Sequence, residues 1–397
     1  MKYKLFILVI IFVSCDQFIP NGKPLIENRS AYIYTRSLVN AGLYYIDLEK
    51  HEYTGNINSH IEIILPRNQL PAITKDGKNL FVAGRNKSAR GPSGTIFTID
   101  LLSRNLDSIS DFPYYHGFME VQLIPGTTHL VTIGRRPSEG NPTNDHGKYF
   151  IVKIDQTTMS IIGEIGVLHD IESPYTPQFM SVSPDGRWGA FTSLPLEPGI
   201  LHAILTVVDL ERFEIAANFD VSVIPLYPVF TGDSRLLYAR STSSLDAHVY
   251  RVDLSRMDIE MIYDYRPENL ERYFPDGALI PIPNSGEMLF SYHLSPRQLD
   301  LWEGISPHKV VRFNEQGEIV RETETGVFQS SPLRTAIFDD STFCILYHPK
   351  AVTSIDESVQ FVDASILYVS TETLEVIKEE TIRLPRDALY GAVFIIP

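Results

Sequence analysis

Gln178–Ser193 reads Q-F-M-S-V-S-P-D-G-R-W-G-A-F-T-S, two apolar runs hinged on Ser183-Pro184-Asp185-Gly186. Pro184 presets φ, Asp185 can bond its own backbone, and Gly186 accepts the positive φ that closes the turn. The stretch is a β-hairpin. Weaker copies recur at Ile73–Gly77, Leu123–Gly126, Phe230–Asp233, Pro283–Gly286 and Phe338–Ser341, each ahead of an apolar run.

A second pattern alternates with the first. An apolar run ends in Asp at Asp47, Asp100, Asp155, Asp209 and Asp253, with degraded copies at Asn314 and Ser370. The spacings are 53, 55, 54, 44, 61 and 56 residues. A strand-like run follows each, so each copy predicts a second hairpin whose turn is opened by an Asp, Asn or Ser side chain. Ala31–Tyr34 has the place of a second strand with no first strand before it, and Tyr390–Ile396 that of a first strand with nothing after it. Pairing these ends completes a seventh unit and covers a bare edge. The expectation is an all-β, seven-bladed β-propeller of four-stranded antiparallel blades over residues 30–397, closed by the C-terminal strand against the N-terminal one. Two β-sandwich domains are the rival, and they do not explain the constant phase.

At Ser181–Phe191 (S-V-S-P-D-G-R-W-G-A-F) and in the repeated I-D-L of the strand ends, the chain resembles the bacterial WD-repeat-like propellers of the TolB and YVTN types. The resemblance implies a periplasmic or surface binding platform. Those families also include sugar-lyase and peptidase-associated propellers, so it implies no single activity.

The first residues read as a targeting segment. Lys2 and Lys4 precede an uncharged run, Leu5–Ser14, too short to span a bilayer in a helix. The run ends Phe12-Val13-Ser14-Cys15, which resembles a bacterial lipobox, with Phe12 where Leu is usual. That resemblance implies cleavage after residue 14 and a diacylglyceryl group on Cys15. The rest of residues 15–29, Asp16–Arg29, has two Pro, one Gly and no periodicity, and reads as a flexible tether reaching at most ~45 Å. The expected address is the bacterial cell envelope, as a membrane-anchored lipoprotein, periplasmic or surface-exposed. Cys344, in Phe343–Tyr347, then stands alone and reads as a core thiol.

The formal charge of −15 argues against nucleic acid, whose phosphates need a basic face. Metal templates and nucleotide loops are absent, so no cofactor is expected. The recurrent Asp residues read as turn caps. Propeller lyases gather histidines at the channel mouth, and His116 and His169 are the pair to watch, with Gln178. Connections after second strands and those before first strands share one face. That face collects Arg36, Arg67, Arg85, Arg90, Arg135, Arg136 and Arg386, with Tyr114, Tyr115, Tyr175, Tyr227 and Tyr273 beside them. Arginines grip carboxylates or phosphates bidentately, and tyrosines stack on sugars or peptides. Solvated arginines and tyrosines packed between blades are the plainer alternative. The long loops at 135–148, 294–307 and 348–363 project from the same face, with Leu299, Leu301 and Trp302 as possible anchors. The preferred reading is a non-catalytic platform binding an envelope protein, a peptide or a glycan. The alternatives are a carbohydrate lyase or hydrolase at the channel mouth, and a structural spacer.

Overall fold

The computed structural model describes residues 30–35, 42–48, 50, 52–57, 72–74, 76–85, 94–103, 105–136, 148–167, 175–195, 203–221, 226–241, 247–265, 273–296, 307–327, 335–347, 360–385 and 392–396. The chain forms two compact units, one of residues 58–228 and one of residues 1–57 with 229–397.

The chain opens with β1 (Ser30–Thr35), β2 (Gly42–Asp47) and β3 (Glu52–Ile57). Three sheets follow in the unit of residues 58–228. The first holds β4 (Ala72–Ile73), β5 (Asn79–Arg85), β6 (Gly94–Asp100) and β7 (Asn105–Phe112). The second holds β8 (Gly117–Leu123), β9 (His129–Arg136), β10 (Lys148–Asp155) and β11 (Ser160–Gly166). The third holds β12 (Tyr175–Val182), β13 (Trp188–Pro195), β14 (Ala203–Asp209) and β15 (Glu214–Val221).

Two more four-stranded sheets come next. One holds β16 (Leu226–Phe230), β17 (Leu236–Ser241), β18 (Ala247–Asp253) and β19 (Asp258–Tyr265). The other holds β20 (Tyr273–Pro281), β21 (Met288–Pro296), β22 (Pro307–Phe313) and β23 (Ile319–Val327). The chain continues through β24 (Thr335–Asp339), β25 (Thr342–Tyr347), β26 (Phe361–Ser370), β27 (Val376–Pro385) and β28 (Ala392–Ile396).

These last strands correct the expected count. Among the described residues, hydrogen bonding divides the strands into six sheets, not seven. The sixth has eight strands in the order β24-β25-β26-β27-β3-β2-β1-β28. Its two halves are joined by a parallel bridge between Arg383 of β27 and Glu52 of β3. Repeat counting sees two turn patterns there, and a bridge between distant residues makes them one sheet. The fold is an all-β propeller of four-stranded antiparallel blades, with six blades and the sixth of double width. The end strands do pair antiparallel, from Ser30 opposite Ile396 to Tyr34 opposite Ala392.

The turns behave as side-chain chemistry dictates. Asp47 accepts from the Lys50 N–H, Asp100 from Ser103, Asp155 from Thr157 and Thr158, Asp209 from Glu211 and Arg212, and Asp253 from Ser255. The degraded copies do the same work, Asn314 for Gln316 and Glu318, and Ser370 for Glu372 and Thr373. In the quoted hairpin, Asp185 accepts from Ser183 Oγ and the Arg187 N–H, and Gly186 has φ of 75°.

Apolar faces of neighbouring sheets fill the space between them. In residues 58–228, Phe81, Ile96, Tyr115, Phe118 and Val152 join the first two sheets, and Val131, Ile151, Met180, Phe191 and Val208 the next two. In the other unit, Tyr238, Phe290, Tyr292 and Phe313 join β16–β19 to β20–β23. Burying each such side chain is worth about 1.5–3 kcal/mol. Cys344 is buried in this material with its thiol free, and burial pushes its pKa up to about 12.

Candidate functional site

Each blade has one end formed by the start of its first strand and the end of its second. Several of the expected binding residues are described there. In the β8–β11 blade, Gly117 pairs with Arg135, and the His116 N–H donates to the Arg135 carbonyl at 2.8 Å. Pro113, Tyr114 and Tyr115 lead into that end after the edge strand β7. The Tyr115 N–H closes the turn onto the Phe112 carbonyl at 3.0 Å, and the Gly94 N–H donates to the Tyr115 carbonyl at 2.6 Å.

The two tyrosines part company. Tyr114 is 76 % exposed, and Tyr115 has no exposed surface at all. Tyr115 lies against Phe118, ring centroids 5.1 Å apart, and over Gly134. A Cβ at Gly134 would collide with the Tyr115 ring, so glycine is required there. The Tyr115 hydroxyl donates to Glu164 Oε1, and Arg136 donates to the same oxygen and, at 3.0 Å, to the Tyr115 hydroxyl. The Arg136 guanidinium also lies 4.9 Å from the Tyr115 ring centre and 4.5 Å from that of Phe150. Burial, then the Glu164 carboxylate, raises the Tyr115 pKa, and Arg136 offsets part of the rise.

This corner bears on two expectations. Tyr115 is a packed anchor with no surface to stack on a ligand. Arg136 is engaged by Glu164 and two aromatic rings, so an anion would have to compete for it. Arg135 is half-buried beside it, and His116 is half-exposed. Glu164, 49 residues from Tyr115, was absent from the candidates because nothing local marks it.

Elsewhere the placement is as follows. Tyr175 and Tyr273 are the first residues of β12 and β20, and Arg85 is the last of β5. Those positions are at the expected ends of their blades, and their side chains lie outside the described ones. Tyr227, near the start of β16, is half-buried. Cys15, Arg36, Arg67, Arg90, His169, Leu299, Leu301, Trp302 and Arg386 lie outside the described residues, as do Tyr390 and Gly391 of the expected last strand. The proposed convergence of His116 with His169 falls there too.

The corresponding end of the β20–β23 blade holds a chain the sequence did not suggest. His308 is buried, with Nε2 3.0 Å from Ser291 Oγ and Nδ1 2.6 Å from Thr325 Oγ1. The composition is that of a base beside a nucleophile, but Ser291 has no exposed surface. The chain satisfies three polar side chains inside the sheet packing. In the β16–β19 blade, His248 Nδ1 lies 3.3 Å from Asp264, again with the imidazole buried. Among the described residues, no group of three His, Cys, Asp or Glu side chains is placed to hold a metal ion.

No family model matches the chain, and no curated protein matches it. Solved structures do. A periplasmic gluconolactonase of Pseudomonas aeruginosa superposes with a TM-score of 0.58 at 11 % identity, over 93 % of this chain and 99 % of that one. Hydrazine synthase of Kuenenia stuttgartiensis gives 0.57 at 12 %, over 94 % and 97 %. A functionally unknown protein from Desulfotomaculum acetoxidans gives 0.53 at 13 %, over 93 % and 98 %. At these identities the likeness is one of fold, shared by enzymes and by proteins of unknown function alike.

Proposed function

We propose that this chain is a lipid-anchored protein of the bacterial cell envelope that serves as a non-catalytic binding platform. It engages its partner through the blade ends that begin the first strands. The observation that carries the reading is the division of labour between Tyr114 and Tyr115. Tyr115 and the Arg136–Glu164 pair lock the turn, and Tyr114 stands 76 % exposed on it. An aromatic ring held on a rigid turn loses little entropy when it stacks on a ligand. Arg135 on the adjoining strand adds a cation, which favours an acidic glycan or peptide over a neutral one. The lipobox-like Phe12–Cys15 supports the anchor and the envelope address.

The test uses the full-length chain against immobilised uronate oligosaccharides and acidic peptides. Tyr114→Ala and Arg135→Glu each weaken binding by about tenfold or more, as loss of a stacking or ionic contact implies. Lys50→Glu, on an Asp turn, leaves binding unchanged. Equal binding by all variants overturns the platform reading. In cells, Cys15→Ala moves the protein from the detergent phase to the aqueous phase, and an unchanged partition overturns the anchor alone.

A further inference from the structure

Among the described residues, Glu120 is a carboxyl that the fold has buried inside the sheet packing, away from any turn. It lies on β8, the first strand of its blade, and is 4 % exposed. Its Oε2 accepts a hydrogen bond from the Met180 N–H of β12, the first strand of the next blade. The geometry explains why that N–H is available. The register of β12 on β13 slips between Gln178 and Ser181, so Met180 sits in a β-bulge outside the ladder. The register of β8 on β9 slips in the same way between Phe118 and Val121. Glu120 and Met180 thus occupy equivalent places in two matched bulges. The side chain of one satisfies the backbone donor orphaned by the other.

We propose that Glu120 is a pH-sensitive latch between the β8–β11 and β12–β15 blades: uncharged, it holds the Met180 N–H, and ionised, it lets the two first strands part. The elements packed on β8 are β4, β5, β6, β9 and β12. Their titratable side chains are Arg85 on β5, Asp100 on β6, His129, Arg135 and Arg136 on β9, and Tyr175 on β12, with none on β4. Of those whose side chains are described, Asp100, His129, Arg135 and Arg136, none supplies a counter-charge to Glu120. Burial raises its pKa well above the ordinary glutamate value, and only the Met180 N–H opposes the rise.

The sign follows. With the strands parted, the carboxyl is solvated and ionises in the ordinary range near ~4.3. With them closed it must stay protonated. The junction is therefore firmest below that range and weakens as pH climbs towards the raised value. The strand that carries the latch begins beside Tyr114 and His116, so loosening it also loosens the candidate binding corner.

The experiment is amide hydrogen exchange at Met180 in the full chain, at about pH 6 and about pH 9, in wild type and Glu120→Gln. Glutamine keeps the acceptor and removes the charge. The wild-type rate divided by the Gln rate rises by about tenfold or more across this interval, the free-energy equivalent of one unit in pKa. Glu120→Met removes the acceptor and exchanges faster at both pH values. Parallel pH dependence in wild type and Gln overturns the latch. Wild type alone gives a second reading, in which the urea midpoint falls from pH 6 to pH 9. A constant midpoint overturns the latch whether or not the variants fold.

Discussion

Asp209 shows how one residue can be read from sequence to energy. Its carboxylate caps the turn after β14 by accepting from the Glu211 and Arg212 N–H groups, at 3.0 and 2.9 Å. It is only 3 % exposed, so water does not replace it when it is removed. Asp209→Ala is expected to cost about 1–3 kcal/mol, the penalty for unsatisfied donors next to a buried site. Urea unfolding monitored by tyrosine and tryptophan fluorescence measures it, and a loss below a few tenths would show the cap to be idle. This role was legible because the interaction spans two or three residues of chain. The roles of Tyr114 and Tyr115 were not. They are neighbours of one type, and what separates them is Gly134 beneath one ring and Glu164 at its hydroxyl, both distant in sequence.

Among elements, the two hairpin patterns were legible as turns, and the structure adds what the turns cost. The fourth residue after the capping Asp or Ser has positive φ at Met159, Phe213, Met257 and Leu374, from 50° to 57°. A left-handed non-glycine residue costs roughly 1–2 kcal/mol, which the cap and the packed strands outweigh. No sequence rule marks a Phe or Leu for that conformation. The pairing of β28 with β1 is the other element-level event. Its five residue pairs cover the free edge of the N-terminal strand. Deleting residues 392–397 is expected to lower the thermal midpoint by several degrees and to promote association through the bared edge. Light scattering during the melt checks this, and a variant that melts like the full chain without associating would show the pairing to be dispensable.

At the scale of the whole molecule, the acid limb of stability should be broad, because many turns share it. Hydrogen bonds hold the carboxyls of Asp100, Asp155 and Asp253 below the usual range. At Asp76 and Asp233, burial pushes upward, and hydrogen bonds from Thr74 and Lys78, or from Thr231 and Arg235, outweigh it. A depressed carboxyl contributes stability that is complete above the ordinary aspartate pKa of ~3.9 and fades as pH falls through the folded value. Unfolding below about pH 4 is therefore expected to spread over more than one pH unit, with Asp233→Asn shifting only part of it. Circular dichroism against pH checks this, and a single sharp step abolished by one substitution would contradict it. The sequence by itself determined the strand type, the turn chemistry and the four-strand repeat, because each rests on contacts between residues a few positions apart. Only the tertiary structure decided that Arg383 and Glu52 fuse two expected blades into one, that Tyr115 is buried with Arg136 and Glu164 over its hydroxyl, and that Glu120 meets Met180. Those outcomes depend on which distant strands lie side by side, and no local pattern encodes that.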